Sequence, residues 1–306
     1  MKVLVLHTLP PECVADGHVS DEYALDGAAN AIAAVIPGSL VAGVRGGAPE
    51  LMALLTRHEP DVVFNLCEAP LGRTDLEPHA ASLFEWLGVR FTGARSDTLA
   101  LCRRKDLVSP ILRDRGVAVP GRLRRECPAF PCLVKPSGED GSATLDHESV
   151  CDDAEALTRA LGRISEPVVI EEFLPGREFA VSLWGRHDPD YVSVGEMVFL
   201  NGLRLITYAA KWHVESADFA DSPLYYNSEI APKLREAIVA AAKGAWYAVG
   251  ARHLLRVDIR LDRAGCPRVL DVNPNPEISP EVGISRAVKE AGWQWRDFIH
   301  KLLEWA

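Results

Sequence analysis

The sequence has no run of eighteen apolar residues, no C-x-x-C pair, no internal repeat and no low-complexity tract. The first absence argues against a transmembrane helix, which needs roughly 20 such residues. The opening MKVLVLHTLPPE holds too short an apolar stretch for a signal peptide and reads as a first strand. Cysteines at positions 13, 67, 102, 127, 132, 151 and 266 make an odd set without metal-ligand spacing. That disfavours a disulfide framework and a zinc site, and free thiols in a reducing cytoplasm are expected. Positive charge is scarce too, with 33 Lys and Arg against 43 Asp and Glu and a formal net charge of −10. Nucleic acid and anionic membranes reward clustered Lys and Arg, so neither is an expected partner. The nucleotide-binding patterns G-x-x-x-x-G-K-[ST] and G-x-G-x-x-G are also missing.

What is present fits a globular chain of 306 residues with ample core, 48% apolar and 25% charged. The first 95 residues alternate strand-like and helix-like segments: KVLVLH, a helix from about Asp21 to Ile36, SLVAGV, a short helix near Pro49 to Arg57, and DVVFNL. This rhythm predicts a small parallel α/β domain, with ligands at the carboxyl ends of its strands near His7 and Asn65 to Glu68. From about Ser96 to Arg186 come a basic helix (TLALCRRKDLVSPILRDRG), strand PCLVKP, a small-residue loop, helix DDAEALTRALGRI, and strands PVVIEEFL and REFAVSLWG. The remainder holds further strands, an Ala-rich helix over Pro232 to Val249, the hairpin RVDIRLDRAGCPRVLDVN and a closing amphipathic helix. Divisions at 1–95, 96–186 and 187–306 are expected.

The hairpin carries the most chemistry. RVDIRLD alternates polar and apolar, so Arg256, Asp258, Arg260 and Asp262 should share one strand face. Val269, Asp271 and Asn273 should share a face of the return strand. With the turn centred between Ala264 and Gly265, Asp258 falls opposite Asp271 and Arg256 opposite Asn273. Paired Cβ atoms lie about 4.5–5.5 Å apart, and like charges there repel. Two facing carboxylates and an Asn oxygen suit a hard divalent cation that takes its other ligands from phosphates and water. The alternative is a solvated polar face neutralised by Arg256 and Arg260. The rigid exit NPNPEIS favours the cation site.

Lys135 ends strand PCLVKP and precedes SGEDGSAT, a loop whose small residues let backbone N–H groups approach phosphate oxygens. Arg103, Arg104 and Lys105 form a basic cluster, and Lys211 sits among aromatic and apolar residues in TYAAKWH. That lysine either snorkels from a core strand or points at an anionic ligand.

The ordered pieces DVVFNL, FTGARSDTLALCRRK, LVKPSGEDGS, VVIEEFLPGREFAV, YAAKW, RVDIRLD and LDVNPNP resemble an ATP-grasp enzyme of the D-alanine–D-alanine ligase branch, from about Asp61 onward. The resemblance implies three domains: a parallel α/β domain and two α+β domains that clasp ATP. It implies that Lys105 and Lys135 contact the nucleotide phosphates, that Glu171, Glu172 and Leu174 line the adenine, and that Glu178 takes the ribose hydroxyls. Asp258, Asp271 and Asn273 match ligands of Mg²⁺, with Mn²⁺ as an alternative. Arg256 and Lys211 match cations that face the transferring phosphoryl group, and the loop around Ser142 matches a lid. A homodimer acting on a small carboxylate and a small amine is implied.

Three departures fall on substrate-facing positions. The first loop, LPPECVADGHVSDEYALDG, has no double glycine; Glu22 is its substitute amine anchor, unless Ser20-Asp21-Glu22 simply caps the following helix. A Lys-Tyr pair becomes Lys211-Trp212 followed by His213, and indole only donates. The pattern N-x-x-P-G becomes Asn273-Pro274-Asn275-Pro276-Glu277, where the Glu277 carboxylate is placed to hold a substrate ammonium. The expected function is therefore an ATP-dependent carboxylate–amine ligase working through an acyl phosphate on amino acids, of dipeptide or natural-product type. A true D-alanine–D-alanine or D-lactate ligase is one alternative. A nucleotide-binding protein without turnover is another, of a different class.

Overall fold

The computed structural model describes residues 1–10, 26–138, 144–164 and 167–306. Glu22 and Ser142 lie outside these residues, as does the side chain of Trp212. No helix among the described residues is long and apolar enough to cross a membrane.

The N-terminal segment folds as its rhythm predicts. β1 (Val3–Thr8), α1 (Asp26–Val35), β2 (Leu40–Val44), α2 (Ala48–His58), β3 (Val62–Leu66), α3 (Glu77–Leu87) and β4 (Arg90–Phe91) build a four-stranded sheet in the order β2-β1-β3-β4. Every pair is parallel. β1 is buried along its whole length, as a central strand covered on both faces must be. Pro49 and Pro78 open α2 and α3, where no N–H is missed. Gly88 closes α3 at φ 66°, a left-handed cap that a Cβ would strain.

Next come α4 (Ser96–Cys102) and α5 (Lys105–Asp114). The sequence reads as one basic helix here, but the backbone breaks at Arg104 (φ −99°, ψ 84°). The break has local causes. Arg104 forks onto Asp106 at 2.9 and 2.7 Å, Asp106 accepts from the Ser137 hydroxyl, and the Lys105 N–H donates to Ser137 O at 2.9 Å. The turn carries Lys105 into a cleft. β5 (Cys132–Pro136), β6 (Val150–Cys151), α6 (Ala154–Arg163) and β7 (Val168–Glu172) then form an antiparallel sheet ordered β6-β5-β7. Leu157 and Ala160 of α6 cover one face against Cys132, Val134 and Ile170. Asp153 caps α6 by accepting from Ala156 N at 2.8 Å.

β8 (Glu178–Gly185) and β9 (Tyr191–Met197) are followed by α7 (Tyr208–Trp212), α8 (Ala217–Ala220), β10 (Leu224–Tyr225) and α9 (Pro232–Val249). β11 (His253–Leu261), β12 (Pro267–Asn273), α10 (Gly283–Glu290) and α11 (Trp295–Trp305) complete the order. The five-stranded antiparallel sheet runs β10-β9-β8-β11-β12. Strand β8, grouped by sequence with the middle segment, thus pairs inside this last sheet. The closing helix is two helices, separated at Gly292 (φ 86°).

α9 covers one face of the large sheet, packing Ile238, Ala242 and Trp246 against Phe179, Val181, Leu255, Val257 and Ile259. At about 1.5–3 kcal/mol per fully buried side chain, that face offsets the desolvation of charges on the other. α11 turns back and lays Phe298, Ile299 and Leu302 on the first sheet, against Val3, Val5 and Phe64. His253, at φ 65° and 1% exposed, joins the regions: Nδ1 accepts from Gly93 N at 3.0 Å, and Nε2 faces Trp305 O at 3.2 Å. Burial pushes this imidazole down to about 3, so it is neutral and Nε2–H donates.

Candidate active site

The hairpin pairs in the expected register at its open end: Arg256 opposite Asn273 and Asp258 opposite Asp271. Beyond Asp258 the register shifts, with Ile259 opposite Val269, which leaves Leu270 as an unpaired bulge residue. The shared face expected for Val269, Asp271 and Asn273 is therefore wrong at Val269, which turns into the core with Val272. The bulge aims both Leu270 and Asp271 into the cleft. Asp262 does not join the polar face either. It caps the turn, accepting from Ala264 N and Cys266 N at 2.9 Å each and pairing with Arg268.

A cleft opens between the three-stranded and five-stranded sheets. Ten of the expected site residues line it: Lys105, Lys135, Glu171, Glu172, Leu174, Glu178, Lys211, Arg256, Asp258 and Asp271. β5 and β7 supply Lys135 and Glu171 on the face opposite α6. Lys135 Nζ lies 2.7 Å from Glu171 Oε2 and donates to Leu270 O at 3.2 Å. The ion pair is off line for a hydrogen bond, so Glu171 Oε2 is buried without a donor. Glu172 turns its carboxylate away and accepts from Gly121 N at 2.7 Å.

From the large sheet, Arg256 grips Asp258 with two hydrogen bonds of 2.8 Å. Asp258 holds the guanidinium pKa well above its ordinary value, so Arg256 is a permanent cation. Burial alone would raise the Asp271 carboxyl, but Lys105, Lys135, Lys211 and Arg256 outweigh it and hold it below the usual range. Lys105 Nζ is 4.0 Å from Asp271 Oδ1. Lys211 comes from the short helix α7, capped by Thr207, rather than from a core strand. Burial, then Arg256, pushes its ammonium down. Burial also pushes Glu178 up to about 7, against the pull of Arg260.

Other expected residues stand outside this cleft. Asn273 does not line it; its Oδ1 accepts from Asn275 N at 2.8 Å and stiffens the exit loop. His213 is exposed, with its ring edge-on to Tyr208 at 5.5 Å. Glu277 is exposed on the loop that Asn275 Nδ2 ties to Glu77 Oε1 at 2.6 Å. There it faces the carboxyl end of β3, where burial, then the Glu277 charge, pushes Glu68 up to about 8. At the end of β1, buried His7 lies 3.2 Å from Asp26 Oδ1. The sequence reading passed over the apolar lining, Leu133, Leu145, Phe173, Leu205, Ile206 and Leu270, and the use of Arg260. Alternation along β11 marked Arg260, but no local pattern marks residues that meet only when two sheets close.

Asp258 and Asp271 are directly opposed oxygen donors with three lysines and an arginine around them. Among the described residues no group of three or more His, Cys, Asp or Glu side chains is placed to hold a metal ion. Such a pair does not hold a divalent ion alone, but fits one that shares phosphate oxygens. The apolar walls of the cleft, with the Glu171 carboxylate at their edge, fit a planar base with amine hydrogens.

A cleft between two antiparallel sheets, with Lys135 from the smaller, Asp258 and Asp271 from the larger and Lys105 and Lys211 from flanking helices, fits an ATP-grasp ligase, an enzyme class that forms C–N bonds. Residues 123–304 match the family described as D-ala D-ala ligase C-terminus, and the chain belongs to that family. A Sinorhizobium fredii protein described as uncharacterized is 29% identical over 79% of this chain and 74% of its own. The D-alanine–D-alanine ligase of Rhizobium meliloti is 25% identical over 83% of each chain. In fold, the D-alanine–D-alanine ligase of Bacillus anthracis, also solved with ATP, matches at a TM-score of 0.74 and 18% identity, over 99% of this chain and 96% of that one.

Proposed function

We propose that the chain joins a carboxylate to an amine through an acyl phosphate at the expense of ATP, with D-alanine as first candidate for both substrates. The relatives named D-alanine–D-alanine ligase favour D-alanine over the dipeptide or natural-product ligase expected from the divergent loops. The observation that carries the reading is the opposition of Asp258 and Asp271 inside a ring of Lys105, Lys135, Lys211 and Arg256. In this reading Lys105 and Lys135 bind phosphate oxygens, and Glu171, Glu172 and Leu174 border the adenine. Glu178 accepts from the ribose hydroxyls. Arg256 and Lys211 face the transferred phosphoryl group and offset the charge that spreads over it. Magnesium, held by Asp258 and Asp271 with Asn273 at the rim, would screen the phosphates. The phosphate-rich centre must exclude water, which the loop around Ser142 would do.

Glu22, Trp212, His213 and Glu277 belong by this reading to the amino-acid end. A second reading, a different amine acceptor, is favoured there by Glu277 standing beside the raised Glu68. Three domains, with β8 opening the third, a homodimer and a cytoplasmic setting complete the proposal. ADP release from Mg-ATP over single and paired D- and L-amino acids, with masses of the products, tests it. Release that depends on paired amino acids and yields a condensed product supports the ligase and names its substrates. ATP binding without amine-dependent release sinks it.

A further inference from the structure

Arg260 sits in the wall of the cleft, directly opposite Glu178 on the neighbouring strand. Only 7% of it is exposed. Its guanidinium stands 4.8 Å from the Phe173 ring centre and 5.0 Å from that of Phe199. Nε donates to Gly176 O at 3.1 Å and Nη1 to Arg204 O at 2.7 Å, while Nη1 is 3.4 Å from Glu178 Oε2. These contacts tie together three segments: the turn between β7 and β8, strand β11, and the loop that brings Leu205 and Ile206 over the cleft. Arg204 continues the chain of contacts. It lies over the other aromatic neighbour, Phe173, at 4.6 Å and pairs with Asp152 beyond β6 at 2.8 Å. The small sheet and the large sheet are thereby linked at the base end of the cleft.

A buried carboxylate needs a cation and a fixed geometry to act as an acceptor. Arg260 is the nearest cation to Glu178 and is itself immobilised by two rings and two carbonyls. Its planar fork is pre-organised, and a lysine ammonium has no equivalent. We propose that Arg260 is the positioning residue that holds Glu178 ready for the two sugar hydroxyls of the nucleotide, and so sets discrimination between ribo- and deoxyribonucleotides. The inference rests on the reading of the cleft as a nucleotide site.

Equilibrium affinities for ATP, 2′-deoxy-ATP and 3′-deoxy-ATP, measured calorimetrically with the whole chain, test it apart from turnover. Wild type should prefer ATP to each deoxy analogue by roughly tenfold, about the 1.4 kcal/mol of one charge-assisted hydrogen bond. Arg260→Met should weaken ATP by up to about a hundredfold and each analogue, which keeps one hydroxyl, by only about tenfold, so that the preference collapses toward unity. Glu178→Gln should do the same, and the double variant should be no worse than either. Arg260→Lys, which keeps the charge but not the fork, should fall between and carries the test if the methionine variant does not fold. Equal weakening of all three nucleotides by either variant would mean a purely structural arginine and overturns the proposal. So does a wild type that binds all three alike, an outcome that leaves the nucleotide reading intact. A wild type that binds no nucleotide overturns that reading and this inference with it.

Discussion

The two ends of the proposed site differ in kind. At the end proposed for phosphate, Lys105 from α5, Lys135 from the small sheet and Arg256, Asp258 and Asp271 from the large one converge and neutralise one another. At the end proposed for the amino acids, beyond the cleft, the exit loop of β12 meets the carboxyl end of β3, and like charges face each other: Glu277 helps to raise Glu68. In the proposed reading the first end takes the triphosphate, whose charge pattern is fixed, and the second takes the substrate part that differs between ligases.

The comparison breaks most visibly at Asp271. Asp271→Asn should lower kcat by at least about 10²–10³, the scale of one electrostatic group lost from a transition state. The melting temperature should move by only a few degrees, because Asp271 packs against cations and not against the core. Turnover within a factor of two of wild type would remove Asp271 from the phosphate end. Next comes Lys135→Met, which takes one charge-assisted partner from the nucleotide. ATP affinity should fall by about tenfold to a hundredfold, the effect of 1.5–3 kcal/mol, while amine preference at saturating ATP stays unchanged. An altered amine preference would mean that the two ends are not separable.

Smaller effects sharpen the other end. Glu277→Gly should change kcat/KM among competing amine substrates by roughly tenfold, the range open to one lost polar contact, with ATP affinity unaltered in calorimetry. The smallest effect concerns pH. Glu68 is raised from 4.5 to about 8 in the folded chain, so folding binds its proton more tightly than the unfolded chain does. That contribution is present in full below about 4.5 and is lost as pH rises through 8. Glu68→Gln should therefore melt higher than wild type at pH 9, measured against the same difference at pH 5. Glu68 is partly exposed, and solvent screening limits the gain to about 2–4 °C. A difference that does not change with pH would show that the carboxyl is already ionised.

How far the sequence is legible follows the same division. Periodicity located the parallel first sheet, α9 and the hairpin register at Asp258 and Asp271, because each is a local repeat of side-chain direction. It failed where a distant contact decides the backbone. Leu270 bulges as the two strands fall out of step, so Val269 changes face. Arg104 breaks a good helical pattern because Asp106 and Ser137 capture its turn. Lys211 reads as part of a strand but stands on a helix started by the Thr207 cap. Type and order picked out ten residues that meet in one cleft, yet nothing in the sequence told that Arg260 would lie between Phe173 and Phe199, since those three meet only in the closed fold.

Helix α11 has a consequence for synthesis. The apolar face of the first sheet, with Val3, Val5 and Phe64, is completed by Phe298, Ile299 and Leu302, nearly three hundred residues later. Arg90 also binds the backbone oxygen of Ala306, at 2.7 and 3.0 Å. A ribosome adding about 5–20 residues per second thus leaves that face covered by α1 alone until α11 has been made. In that interval the uncovered part depends on whatever shields a nascent apolar surface in the cell.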